Sequence, residues 1–126
     1  EREVLHYCRA HRVGFVPYYP LAGGFLTRKY ERGKPAPGGS RGATTRNVQE
    51  LMTEPNYDRV SRLAAWAKAQ GRGVNELAQA WLLAQPPVCS VISGATKAEQ
   101  VVSNVKASDW QLTAEELKEV DAIIKL

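Results

Sequence analysis

The stretch SGATKAEQVVSN, Ser93 to Asn104, combines residue types that suit anion recognition. It leaves an apolar run (Val88, Ser90–Ile92), turns at Gly94 and opens a helical pattern. Thr96 and Glu99 have capping-box spacing, which ties down backbone donors where a helix begins. Helix starts attract anions because several N–H groups there lack partners and the dipole is positive. Gln100 and Asn104 lie four residues apart, so both amides share one helix face.

A second candidate is electrostatic. Between Arg28 and Arg46 stand Arg28, Lys29, Arg32, Lys34, Arg41 and Arg46 against Glu31 alone. That local excess of five is larger than the +4 of the whole chain. The block suits a solvated loop, a phosphate clamp or a nucleic-acid surface. Nucleic-acid surfaces usually interleave stacking aromatics, and only Tyr30 interrupts this run, so no nucleic-acid partner is expected. A third candidate, Tyr18-Tyr19-Pro20-Leu21-Ala22-Gly23-Gly24, follows an apolar run and offers aromatic faces beside small residues.

The elements that must position these residues follow from periodicity. Glu1 to about Arg12 reads as a helix with Val4, Leu5 and Cys8 on one face. Phe15–Tyr19 is a short strand, limited by Pro17 and closed by Pro20. A long Gly-, Pro- and Arg-rich loop comes next, of a length that suits function rather than mere connection. Val60, Leu63, Ala64 and Ala67 mark a helix over about Asn56–Gln70, stopped by Gly71. Asn75 is the expected cap of a second helix, with Leu77, Ala78, Trp81 and Leu82 turned to a core and Pro86–Pro87 as its stop. A strand through VCSVI precedes the helix opened by Thr96, and Thr113 and Glu116 form the capping box of the last helix.

Two strands separated by helices predict a parallel α/β arrangement. A two-stranded parallel sheet has open edges and cannot bury both its faces. The chain therefore reads as part of a larger α/β architecture, with ligands expected at the C-terminal strand ends.

At 126 residues, with 44% hydrophobic and 24% charged residues, the composition is that of a single globular unit. No apolar run approaches the roughly 20 residues of a membrane helix, so no membrane partner is expected. The charged amphipathic opening EREVLHYCRAHR lacks the look of a signal peptide, which predicts a cytoplasmic protein. Cys8 and Cys89 have neither CxxC spacing nor a His cluster nearby, so they are expected as buried, reduced thiols rather than metal ligands.

VGFVPYYPLAGGFLTRKYERG, followed by SVISGATKAEQVVSN and DWQLTAEELKEVDAI, resembles the aldo-keto reductase family over about Arg2 to Ile124. The likeness is strongest to its bacterial-type members and to the related potassium-channel β subunits. It implies that residues 1–126 are the C-terminal, cofactor-binding portion of a TIM (β/α)8 barrel, about its last two strands with their helices. Such a barrel binds NADP(H) and reduces aldehydes or ketones.

Carried over, the resemblance sets Tyr18 against the nicotinamide ring. Leu21, Ala22 and Gly23 then let backbone approach the pyrophosphate, with Lys29 and Arg41 on the phosphates. Gly94, Thr96 and Lys97 fall by the 2′-phosphate, and Gln100 and Asn104 by the adenine. Tyr19 stands where the family usually has Ser. The Tyr, Lys, Asp and His of catalysis belong to the family's first half-barrel, so no catalytic residue is expected here. His6 and His11 are expected to serve the surface or packing. Partners implied are the missing N-terminal half-barrel or a second copy of the chain, and a small carbonyl substrate. A non-catalytic nucleotide-binding or regulatory module is the alternative.

Overall fold

A computed structural model describes residues 2–125, with Arg2 described in its backbone alone. Glu1, which the sequence assigns to the first helix, lies outside the described residues, as does Leu126. Among the described residues seven α-helices run in chain order: α1 Arg2–His11, α2 Arg41–Thr44, α3 Arg46–Gln49, α4 Glu54–Ala69, α5 Val74–Leu83, α6 Ala98–Ser108 and α7 Ala114–Lys125. A 3₁₀ turn over Ala22–Thr27 precedes α2. The long basic stretch is thus not a simple loop. Its turns fold around a small core of Phe25, Tyr30, Val48 and Val60.

The two expected strands do lie parallel, but as two separate pairings, Phe15 with Val88 and Tyr18 with Ile92. Phe15 N–H donates to Pro87 O at 2.7 Å, and Cys89 N–H to Phe15 O at 3.1 Å. The next rung needs an N–H from residue 17, and Pro17 has none. Pairing resumes where Ile92 N–H donates to Pro17 O at 2.9 Å. Pro17 therefore breaks a ladder that the apolar pattern alone would continue.

Helix α4 begins with Pro55 in its first turn, where a missing N–H costs nothing. It ends in a Schellman turn: Gly71, at φ +70°, donates to Lys68 O and Arg72 to Ala67 O, each at 2.9 Å. Val60, Ala64 and Ala67 are buried as their spacing predicts. A second core joins Ala67, Leu77 and Val120, with Leu63, Trp66, Trp81, Trp110 and Leu112 packed around it. The three tryptophans are packing residues. Trp66 and Trp110 stack at 6.0 Å, and the Trp66 and Trp81 indoles donate to Glu119 and Asp121 of α7. The Thr113–Glu116 capping box of α7 forms in both directions, at 2.7 and 3.2 Å.

Several expectations change. Helix α5 starts at Val74 after Gly73, not after Asn75, whose amide instead turns to α6. Ala78 and Leu82 are only half-buried, and line a cavity of about 360 Å³ between α4, α5 and α7. Cys8 is buried but Cys89 is exposed, its thiol resting 3.7 Å from Phe15 O. Val4, Val16 and Ile92 stay exposed despite their apolar patterning, as does Tyr7. His11 stacks on Tyr7 at 4.2 Å, a packing role. No described helix is long and apolar enough to cross a membrane, and the described residues hold no cluster of three metal-ligating side chains.

Candidate functional site

The Tyr18–Ile92 pairing sets the two segment ends side by side, so YYPLAGG and SGATK leave from neighbouring points. The first of these turns is strained. Tyr19, Ala22 and Arg28 hold positive φ without being glycine, at +69°, +48° and +61°. Gly23 and Gly24 share that region at no steric cost. A Cβ on Gly23 would lie 2.7 Å from the Tyr19 hydroxyl and 2.5 Å from Val48, so no larger residue fits. At Gly24 a Cβ would strike the Lys29 side chain, which lies down on this bare backbone.

Tyr18 is 78% exposed, its ring open to solvent at the strand end. Tyr19 turns away from it, ring edge to ring face at 6.4 Å, and back toward Gly23. Leu21 and Ala22 are half-buried in the turn. Ala22 N–H is spent on Tyr19 O at 3.0 Å and Gly24 N–H on Leu21 O at 2.8 Å. Those two donors hold the turn together rather than facing outward.

Ion pairing divides the six cations of the basic stretch into two kinds. Arg32 reaches Glu54 at 3.1 Å and bonds Asp58. Lys34 pairs with Glu31 at 2.6 Å, and Arg46 with Glu50 at 2.8 Å. These are exposed surface pairs. The Lys34 hydrogen bond and charge hold the Glu31 carboxyl below its usual range, and the bond to Asp58 raises Arg32 further. Arg28, Lys29 and Arg41 have no carboxylate within 4.0 Å among the described residues. Two of them sit over aromatic rings instead: Lys29 at 5.1 Å from the Tyr30 centroid, Arg41 at 5.0 Å from that of Tyr19.

Tyr30, which the sequence marked only as a lone aromatic in the basic run, is the brace of this region. Its buried hydroxyl donates to Gly23 O at 2.9 Å and accepts from Gly42 N–H at 3.0 Å. One phenol so joins the glycine turn to the helix that carries Arg41. Beside Arg41, the Ser40 hydroxyl is buried without a hydrogen-bond partner. A buried hydroxyl usually has one.

The second wall begins later than the sequence suggests. Helix α6 starts at Ala98, with extended Lys97 as its flanking residue. The capping side chain is Gln100, not Glu99. Its Oε1 accepts from Thr96 N–H at 2.7 Å, from Lys97 N–H at 3.2 Å and from the Thr96 hydroxyl at 3.2 Å. The Thr96–Glu99 box is therefore replaced by a one-sided cap shifted a single residue: Gln100 accepts from the Lys97 amide, and the Lys97 ammonium, a donor only, returns no bond. Gly94, Thr96 and Lys97 are exposed at this start.

Asn104 is oriented by a residue the sequence reading passed over. Gln79, 3% exposed, donates to Asn104 Oδ1 at 3.1 Å and to Asn75 O at 3.2 Å, and accepts from the Ser93 hydroxyl. Asn75 in turn donates to Ser103 Oγ at 2.8 Å. A Gln within an otherwise apolar helical face, in ELAQAWLLAQ, was the available signal. With both carbonyl oxygens occupied, Gln100 and Asn104 keep their NH₂ groups to offer a ligand.

The family model described as "Aldo/keto reductase family" matches residues 1–125. The chain belongs to the aldo/keto reductase family. It is 36% identical over 131 residues to a "Putative voltage-gated potassium channel subunit beta" of Schizosaccharomyces pombe, covering 98% of this chain and 38% of that one. It is 34% identical over 113 residues to an "L-glyceraldehyde 3-phosphate reductase" of Escherichia coli O157:H7, over 86% of this chain and 33% of that protein. Its structure superposes on the glycerol dehydrogenase of Gluconobacter oxydans with a TM-score of 0.81 at 29% identity, over 98% of this chain and 37% of the other. The chain thus spans 33–38% of the length of these relatives. Aldo/keto reductases are oxidoreductases that generally use NAD(P)H.

Proposed function

We propose that this chain is the cofactor-binding C-terminal part of a (β/α)8 barrel that reduces aldehydes or ketones to alcohols with NADPH. One observation carries the reading. Lys29 and Arg41 keep their charge free of carboxylates beside a strained glycine turn, and that turn leaves from next to the Gly94–Lys97 loop. The donor set and the partnerless Ser40 hydroxyl fit a polyanionic dinucleotide better than they fit a plain surface.

In this reading the exposed Tyr18 ring is a platform for the planar nicotinamide. Leu21, Ala22 and Gly23 give close approach to the pyrophosphate, and Lys29 and Arg41 neutralise it. Gly94, Thr96 and Lys97 take the 2′-phosphate at the start of α6. Gln100 and Asn104 donate from their NH₂ groups to ring nitrogens of adenine. Bound NADPH supplies the hydride for the carbonyl carbon. The proton for the carbonyl oxygen needs a positioned acid, and this reading assigns that role to the remainder of the protein. The apolar wall of half-buried Leu63, Ala78, Trp81 and Leu82 with exposed Ile124 is where that remainder, or a second copy of the chain, packs.

Fluorescence titration tests the cofactor. The complete protein is expected to bind NADPH more tightly than NADH, and equal affinities overturn the NADP preference. The 126-residue chain alone is expected to leave NADPH unoxidised in the presence of a generic aldehyde; turnover by the pure chain overturns the division of labour. The likeness to a protein named as a potassium-channel β subunit favours a second reading, a nucleotide-binding regulatory module. NADPH binding without carbonyl reduction by the whole protein would favour that one.

A further inference from the structure

We propose that Tyr19 is a positioning residue that holds the Arg41 guanidinium over its ring as a charged clasp kept free for a phosphate. The proposal rests on the cofactor reading for its ligand, and on geometry for the clasp itself. Arg41 lies 5.0 Å from the Tyr19 ring centroid. Tyr19 is fixed from three sides. Its backbone is held at φ +69°, its carbonyl accepts from Ala22 N–H, and its hydroxyl lies against the bare Cα of Gly23.

The choice of partner matters electrostatically. A carboxylate would orient the guanidinium equally well but would cancel its charge and compete with an incoming phosphate. An aromatic face orients it through the ring quadrupole and leaves the formal charge intact. The structure uses both devices in one short stretch. Arg32, Lys34 and Arg46 are bound by carboxylates, Arg32 while also 5.8 Å from the Tyr57 centroid, whereas Arg41 and Lys29 rest on rings with no carboxylate within 4.0 Å among the described residues. Arg41 is also registered through its own helix, because the Gly42 N–H is bonded to Tyr30. The clasp spans the gap between the glycine turn and α2, so it sets where the guanidinium stands before any ligand arrives. Holding it there lowers the ordering cost of binding.

Two measurements on the complete protein decide it. The first uses no ligand and no variant. Nuclear Overhauser contacts between the Tyr19 ring protons and the Arg41 side chain, with an upfield shift of the Arg41 Nε proton, are expected. Their absence overturns the clasp whatever the chain binds. The second is a double-mutant cycle read by NADPH titration and by melting temperature. Tyr19→Leu is expected to weaken NADPH about three- to tenfold, the range of a partly exposed cation–π contact. Tyr19→Phe, which keeps the ring, stays within about twofold. Tyr19→Leu with Arg41→Ala is no weaker than Arg41→Ala alone. Additive losses, or a Tyr19→Phe as weak as Tyr19→Leu, overturn the positioning role. Failure of the unmodified complete protein to bind NADPH overturns the cofactor reading instead, and the nuclear Overhauser contacts then decide the clasp by themselves.

Discussion

The Tyr30 hydroxyl donates to the Gly23 carbonyl at 2.9 Å while accepting from Gly42 N–H at 3.0 Å, both beside the core of Phe25, Tyr30, Val48 and Val60. Removing that oxygen and keeping the ring leaves a buried carbonyl and a buried amide without partners. Tyr30→Phe is expected to cost about 1–3 kcal/mol of stability, read by chemical denaturation. Wild-type stability in the variant would mean that the two backbone groups find other partners.

Gln100 rather than Glu99 caps α6, and the two residues can be told apart. Gln100→Ala strips the acceptor from Thr96 N–H and Lys97 N–H and is expected to destabilise the helix start by about 1 kcal/mol. Hydrogen exchange at those two amides should speed up. Glu99→Ala should leave both unchanged; protection lost in Glu99→Ala would restore the box that the sequence suggests.

Lys97 flanks the α6 start and is exposed. If the 2′-phosphate lies there, Lys97→Ala weakens NADPH by about tenfold, the scale of one charge-assisted hydrogen bond. NADH, which lacks that phosphate, should bind with little change. Equal losses for both cofactors would move Lys97 away from the 2′ position.

Gly71 has open space around its Cα and φ +70°, so only backbone strain opposes a side chain there. Gly71→Ala is expected to lower stability by about 1 kcal/mol. Thermal unfolding reads the change, and an unchanged midpoint would mean that the Schellman turn relaxes freely.

The Glu31 carboxyl titrates below its usual range because it accepts a hydrogen bond from Lys34 and feels its charge. Its folded value is depressed, so its small contribution is complete above the unfolded value and disappears as pH falls through the folded one. Carbon-13 NMR of the Glu31 carboxyl reads the low midpoint, and Lys34→Met should return it upward. A midpoint unmoved by that change removes Lys34 as the cause.

Local chemistry made much of this chain legible. Val60, Ala64 and Ala67 on α4, the Gly71 stop and the Thr113–Glu116 box depend on neighbours within a turn or two, and each stands where its pattern indicates. The YYPLAGG and SGATK motifs carried the family in their own residues. Other features escaped because they depend on distant residues. Gln79 draws its meaning from Ser93 and Asn104, far along the chain. Nor could spacing say that Asn75 would turn from capping its own helix to bonding α6.

The sequence by itself determined the five longer helices, the parallel pairing and which short motifs stand at the segment ends, because periodicity, caps and Pro17 act over a few residues. Only the tertiary structure decided which cations stay unneutralised. That depends on which carboxylates the fold brings within reach: Glu54 and Asp58 come to Arg32, while Tyr19 and Tyr30 come to Arg41 and Lys29. Charge can be counted along a chain, but pairing falls off steeply with distance in water, so the folded positions alone select the residues left free to hold an anion.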